Sequence, residues 1–167
     1  MDSNDIKSLP RYDQGLLASG ILLFILSLFL PYYGFDVKGP ASEFIGDGDS
    51  TSAWHSYGTF ALILLLAATI IAAIVILSSA ALPELPVGWN VIVLGLSALG
   101  ALLFIIRSFT YESGDLGGVS YGLEWGAYIL MLLAIAQTVF AFLRTRAAGD
   151  AMPWDNRGAA APPPPAA

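Results

Sequence analysis

The chain has 167 residues, 56% of them hydrophobic and only 12% charged, with a formal net charge of −6 and no cysteine. Soluble domains carry about 25% charged residues, so the composition points to lipid. The absence of cysteine excludes disulfides, thiolate catalysis and Cys-ligated metals, and the acidic balance argues against nucleic acid as a partner.

The apolar residues are bunched into four runs, predicted as helices over 15–35, 58–81, 88–106 and 125–143. A helix needs about 20 residues to cross a hydrocarbon core of about 30 Å, and each run reaches that length once its aromatic end is included. The runs lack the alternation of a barrel strand. The expected fold class is an all-α integral membrane protein, a four-transmembrane-helix bundle with a small external cap.

Residues 1–14 form a polar lead into the first run. That run follows Lys7 and Arg11 as a signal sequence would. Its end, "FLPYYGF", has bulky aromatics where a cleavage site needs small residues, so it reads as a retained signal anchor. Gly15–Leu30 alone is 16 residues, about 24 Å long, so the run needs its aromatic end to span.

Residues 36–57 form a first external loop, long enough for a short hairpin or a folded cap. Its "DGDST" opens like a calcium loop, but the Glu required eleven residues after the first Asp is Gly58. A turn capped by Asp side chains is the better reading. After the second run, Pro83 and Pro86 mark a tight turn. A second external loop covers 107–124, and the Pro/Ala-rich tail 147–167 lacks the composition to bury a core. The membrane domain is thus 15–146.

Lys7, Arg11, Arg144, Arg146 and Arg157 lie on one side of this topology, against Lys38 and Arg107 on the other. The positive-inside rule then puts both termini in the cytoplasm. The second and fourth runs also echo each other, aligning Gly58 with Gly126, Leu62 with Leu130 and Ala68 with Ala136. Two readings stand: duplicated helix hairpins related by an axis along the membrane normal, or coincidence in a restricted alphabet.

Tyr32, Tyr33, Trp54, Tyr57, Tyr121 and Trp125 fall at the external ends of helices. Amphipathic rings favour the headgroup level. Together with His55, the single histidine, they are candidate contacts to lipid headgroups or to a partner. Inside the runs Ser and Thr can bond their own helix backbone, whereas the Gln137 amide needs a partner on another helix. Arg107 and Glu124 bracket the second loop and are expected to pair at its base. No convergent acids, bases, nucleophile or metal ligands assemble, so no catalytic, cofactor or metal site is assigned.

"LFLPYYGF" before the first loop and "SAWHSYG" at its end resemble small four-helix membrane proteins of actinobacterial type. Those read Leu-Pro-Trp-Tyr and Ser-Ala-Trp at the corresponding places; here Tyr32 stands where Trp is frequent. The resemblance implies a bacterial cytoplasmic membrane protein and carries no activity with it. The helix order and larger first loop are also similar to the claudin-type tetraspan topology, without that family's paired loop cysteines. The expectation is a non-catalytic accessory, assembly or scaffolding subunit, with membrane lipid and a membrane-protein partner or a second copy of itself as partners. The alternative is a transporter, channel or lipid-handling protein with an uncharged pathway between the hairpins.

Overall fold

The computed structural model describes residues 9–37, 49–54, 58–78, 83, 85, 87–110, 113–116 and 119–150. Among these lie four helices long and apolar enough to cross a membrane: α1 (Arg11–Phe29), α2 (Gly58–Leu77), α3 (Trp89–Thr110) and α4 (Trp125–Ala148). They form a ring in which α1 packs on α2, α2 on α3, α3 on α4 and α4 on α1.

Each helix buries one stripe at the three- and four-residue spacing that keeps side chains on one face. On α1 the stripe is Asp13, Leu16, Gly20, Leu23 and Ser27; on α4 it is Leu130, Ala134, Gln137, Ala141 and Thr145. The opposite faces expose large apolar side chains, including Ile21, Ile25, Ile63, Ile70, Leu102 and Leu132. Such a surface suits hydrocarbon and not water.

Helix α1 begins four residues earlier and ends six residues earlier than the apolar run suggests. Pro31 disfavours helical conformation at Leu30, whose φ of −78° and ψ of 137° are extended. The helix instead takes in Arg11–Gln14 at its start, and its 19 residues span about 28 Å. The aromatic end leaves the helix and becomes a strand. At the other extreme α4 runs to Ala148 and stops at Gly149, whose φ of 72° is the left-handed conformation a glycine adopts without a Cβ clash.

The bundle is not all-α. Strands β1 (Tyr33–Val37) and β2 (Asp49–Thr51) come from the first loop, β3 (Gly114–Leu116) and β4 (Val119–Leu123) from the second. They join in one four-stranded antiparallel sheet of order β2-β1-β4-β3. The two loops meet where β1 pairs with β4, from Tyr33 opposite Leu123 to Val37 opposite Val119. Because α1 leads into β1 and β4 into α4, the sheet extends the α1–α4 contact beyond the helices.

This order bears on the internal echo. A two-fold exchanging the hairpins would swap β1 with β3 and β2 with β4, so a β1–β4 pair would demand a β3–β2 pair. Instead, β2 and β3 lie at opposite edges. The helix ring is compatible with such symmetry; the sheet does not follow it.

The buried apolar side chains fall into two clusters. One, toward the sheet, gathers Leu23, Tyr32, Leu62, Leu65, Phe104 and Leu130; the other, toward the termini, gathers Leu16, Ala68, Ala72, Val93 and Ala141. Between them lies a layer with Gly20, Thr69, Ser97 and Gln137 on its inner faces.

Candidate functional site

The sheet end carries most of the residues singled out above, and it divides them into inward and outward groups. Tyr32 belongs to the core: it is 2% exposed, and its hydroxyl lies 2.9 Å from Ser108 Oγ. Its ring packs on Phe104 at 5.4 Å between centroids. The residue was expected at the headgroup level. It turns inward because its backbone is held between strands, its N–H donating to Thr51 O and its carbonyl accepting from Glu124 N.

Trp54 is half-buried and fixed to α1. Its indole N–H donates to Ser27 Oγ at 3.0 Å, and its ring meets Phe24 edge-on. Tyr33 is half-buried in β1, paired with Thr51 and Leu123. Tyr121 is half-buried in β4, and its hydroxyl covers Gly114 closely enough that a Cβ there would sit 2.9 Å away. Trp125 faces outward at 57% exposure, joined by Tyr128 at 56% on the same turn of α4. His55 and Tyr57 lie outside the described residues. Among the described candidates, Trp125 is the one whose side chain is exposed on the surface.

Arg107 and Glu124 are not paired with each other in the structure. The stem of Arg107 lies beside Gly58, whereas the Glu124 carboxylate fills the space that Gly34 leaves open. Through the β1–β4 pairing, with Gly34 opposite Gly122, Glu124 comes to lie beside Gly34. Together with Asp36, Ser120 and Tyr121 it lines a shallow polar cleft of about 260 Å³. The register sets Asp36 and Asp115 on either side of Ser120 on one face of the sheet, and the described strands carry no Lys or Arg, so this face is acidic; Asp49, opposite Phe35, lies on the other face.

Two further hollows follow the α3–α4 seam. One of about 350 Å³ lies against β4, lined by Ser108, Phe109, Ser113, Leu123, Tyr128 and Met131. A second, about 260 Å³ and almost wholly apolar, continues along the seam past Ala98, Leu102, Ile135 and Val139.

Gln137 is fully buried and reaches across the ring from α4 to α2. Its side-chain N–H group donates to Leu65 O at 2.9 Å and to Thr69 Oγ1 at 3.1 Å. Thr69 in turn donates to Leu65 O, and Gly20 of α1 makes room for it.

The terminal end holds a charged network that the sequence reading passed over. Arg144 of α4 forms an ion pair with Asp13 of α1, both side chains largely buried. Its Nε donates to Asn90 Oδ1 on α3 at 2.7 Å, and Asn90 Nδ2 donates to Asp150 Oδ2 at 2.9 Å. Thr145 completes the junction, its hydroxyl donating to Ala141 O at 2.8 Å and lying 3.2 Å from Asn90 O. The signal was present in the spacing. Asp13 lies three residues before buried Leu16, and Arg144 lies seven after Gln137, so each is on its helix's inner face.

No family model, curated protein or solved structure matches this chain. The fold and its polar groups define a four-helix bundle with helices long enough to cross a membrane and one sheet built from both of its loops. Among the described residues no group of three or more acidic or histidine side chains could hold a metal.

Proposed function

We propose that the chain is a multi-pass protein of a bacterial cytoplasmic membrane, with both termini in the cytoplasm. It acts without catalysis as an accessory, assembly or scaffolding subunit, and its sheet end is the docking surface. The observation that carries this reading is the shared sheet: both loops build one cap, fixed to the helices through Tyr32 and Trp54, with Trp125 and Tyr128 outward at its rim. Trp and Tyr are among the residues that most often carry interface energy. The strongly polar groups between the helix ends bond within the bundle, Gln137 to α2 and Arg144 to Asp13 and Asn90, which favours a supporting role over a charged transport path.

The test is a native pull-down of the full chain in mild detergent, wild type against Trp125→Ala at matched expression. A stoichiometric protein partner, retained by wild type and depleted by the variant, supports the proposal. A monodisperse homo-oligomer with bound solute and no protein partner would overturn it in favour of a transporter or lipid-handling protein. Topology has its own check, made simple by the lack of native cysteine. Single cysteines at Ser50 and Ser113 should react with an impermeant thiol reagent in intact cells, and cysteines at Ser3 and Ala160 should not.

A further inference from the structure

The layer that separates the two apolar clusters contains two polar atoms with no partner. Gln137 Oε1 and Ser97 Oγ are both fully enclosed, and neither has a hydrogen bond within the protein. Buried polar atoms are bonded in the great majority of cases, and leaving one unmade costs about 1–3 kcal/mol.

Ser97 departs from a habit of this bundle. The buried hydroxyls of Ser19, Ser27, Thr69, Ser108 and Thr145 each donate to a carbonyl three or four residues earlier on their own helix. Ser97 does not, so its hydroxyl is directed elsewhere. The orientation of Gln137 is fixed from the other side. Its N–H group must face Leu65 O, because turning the amide over would oppose two carbonyl oxygens. Its own oxygen is therefore left pointing away from that acceptor.

The two residues share a level. Thr138, the neighbour of Gln137, has its hydroxyl 3.1 Å from Ser97 O, which brings α3 and α4 together at this height. Both side chains lie on the buried stripes that face the bundle interior. A lone acceptor at the same level as an inward-facing hydroxyl that can donate or accept supplies two of the contacts a water molecule uses, since buried waters make two to four hydrogen bonds. Leu65, Leu62 and Phe104 close the layer toward the sheet, while Leu16, Val93 and Ala141 close it toward the termini.

We infer that the centre of the bundle is a binding site for water, held between Gln137 Oε1 and Ser97 Oγ. The water donates to the amide oxygen and exchanges a second hydrogen bond with the serine. Its enclosure between two apolar clusters makes its exchange with bulk slow. The site is independent of the docking role proposed above and stands whether or not a partner is found.

The sequence contains two glutamines, Gln14 and Gln137. Labelling the full chain with ¹⁵N-glutamine in detergent or nanodiscs therefore gives two side-chain amide pairs, one of them in the layer. The Gln137 amide should show a cross-peak to a long-lived water, and Ser97→Ala should abolish it while the Gln14 signals and the helical circular dichroism stay unchanged. Stability gives a second reading: Ser97→Ala combined with Gln137→Leu should lower the thermal midpoint by less than the two single shifts added together. Absence of the water signal from folded wild type would overturn the site. So would its persistence in Ser97→Ala, or strictly additive shifts in the double variant.

Discussion

Among the contacts of the described residues, charge joins α1, α3 and α4 at the terminal end, while Tyr32 and Trp54 fasten the sheet end through neutral hydrogen bonds and shape. At the first, Asp13, Asn90 and Arg144 connect α1, α3 and α4 through one guanidinium, and Asp150 is attached through Asn90. At the second, Tyr32 bonds Ser108, Trp54 bonds Ser27, and α4 enters so close to α1 that a Cβ at Gly126 would collide with Pro31 O. The difference lies in what each end loses when one member is removed. A neutral bond leaves behind a hydroxyl with another acceptor nearby. A broken ion pair leaves a charge in a largely buried site.

The largest effect should therefore come from the charged end. Arg144→Met strands the Asp13 carboxylate and unpairs Asn90 Oδ1. Removing one partner of a buried pair costs about 3–5 kcal/mol, read as a lowered thermal midpoint of the purified protein. Adding Asp13→Leu to that variant should recover much of the loss, since no lone charge remains. A small effect of Arg144→Met, or a double variant worse than the single, would show that this end is hydrated and that the contrast between the ends is false.

Shape comes next. Gly126→Ala drives a methyl against the backbone of Pro31 and lies within 2.8 Å of Leu30 Cβ. Overpacking against backbone costs about 1–3 kcal/mol, and the Glu124 N–H to Tyr32 bond should lose hydrogen-exchange protection with it. Gly20→Ala drives a methyl into the Thr69 side chain, whose hydroxyl is held between Leu65 O and Gln137, so its cost should be similar and fall on that contact.

Tyr32→Phe keeps the ring against Phe104 and removes one neutral hydrogen bond, for a loss of about 1 kcal/mol. Ser108 retains its bond to Phe104 O, so no orphan is created. The smallest shift belongs to the centre. Gln137→Leu should cost about 0.6 kcal/mol, the average for polar contacts between helices in membranes. A loss of several kcal/mol there would move the critical polar contact from the ends to the middle layer.

The four helices were legible in the sequence because hydrophobic length is a local quantity. Three of them begin within a residue of where their runs begin: Gly58, Trp89 and Trp125. The first was misplaced because the run was read to its aromatic end, although Pro31 already contained the reason to stop short. The first loop was expected to hold a short hairpin or a folded cap, and β1 does pair with β2; the pairing of the two loops in one sheet was not expected. Its central pair joins Tyr33 to Leu123 across most of the chain, and such pairing leaves no periodic trace in either segment.

What the sequence determined by itself is the set of four long helices and their apolar character, since both depend on residue type alone. The tertiary structure decided which way the polar residues face. Tyr32 looked like an interfacial ring and became core once β1 was held between β2 and β4. Arg144 looked like a topology signal and became a junction once α1 extended back to Asp13. Glu124 was matched with Arg107 by proximity to one loop, yet the sheet turned it toward Gly34. The physical reason is common to all three. A polar side chain's partner is chosen by the register between elements distant in sequence, and that register exists only after the chain has packed.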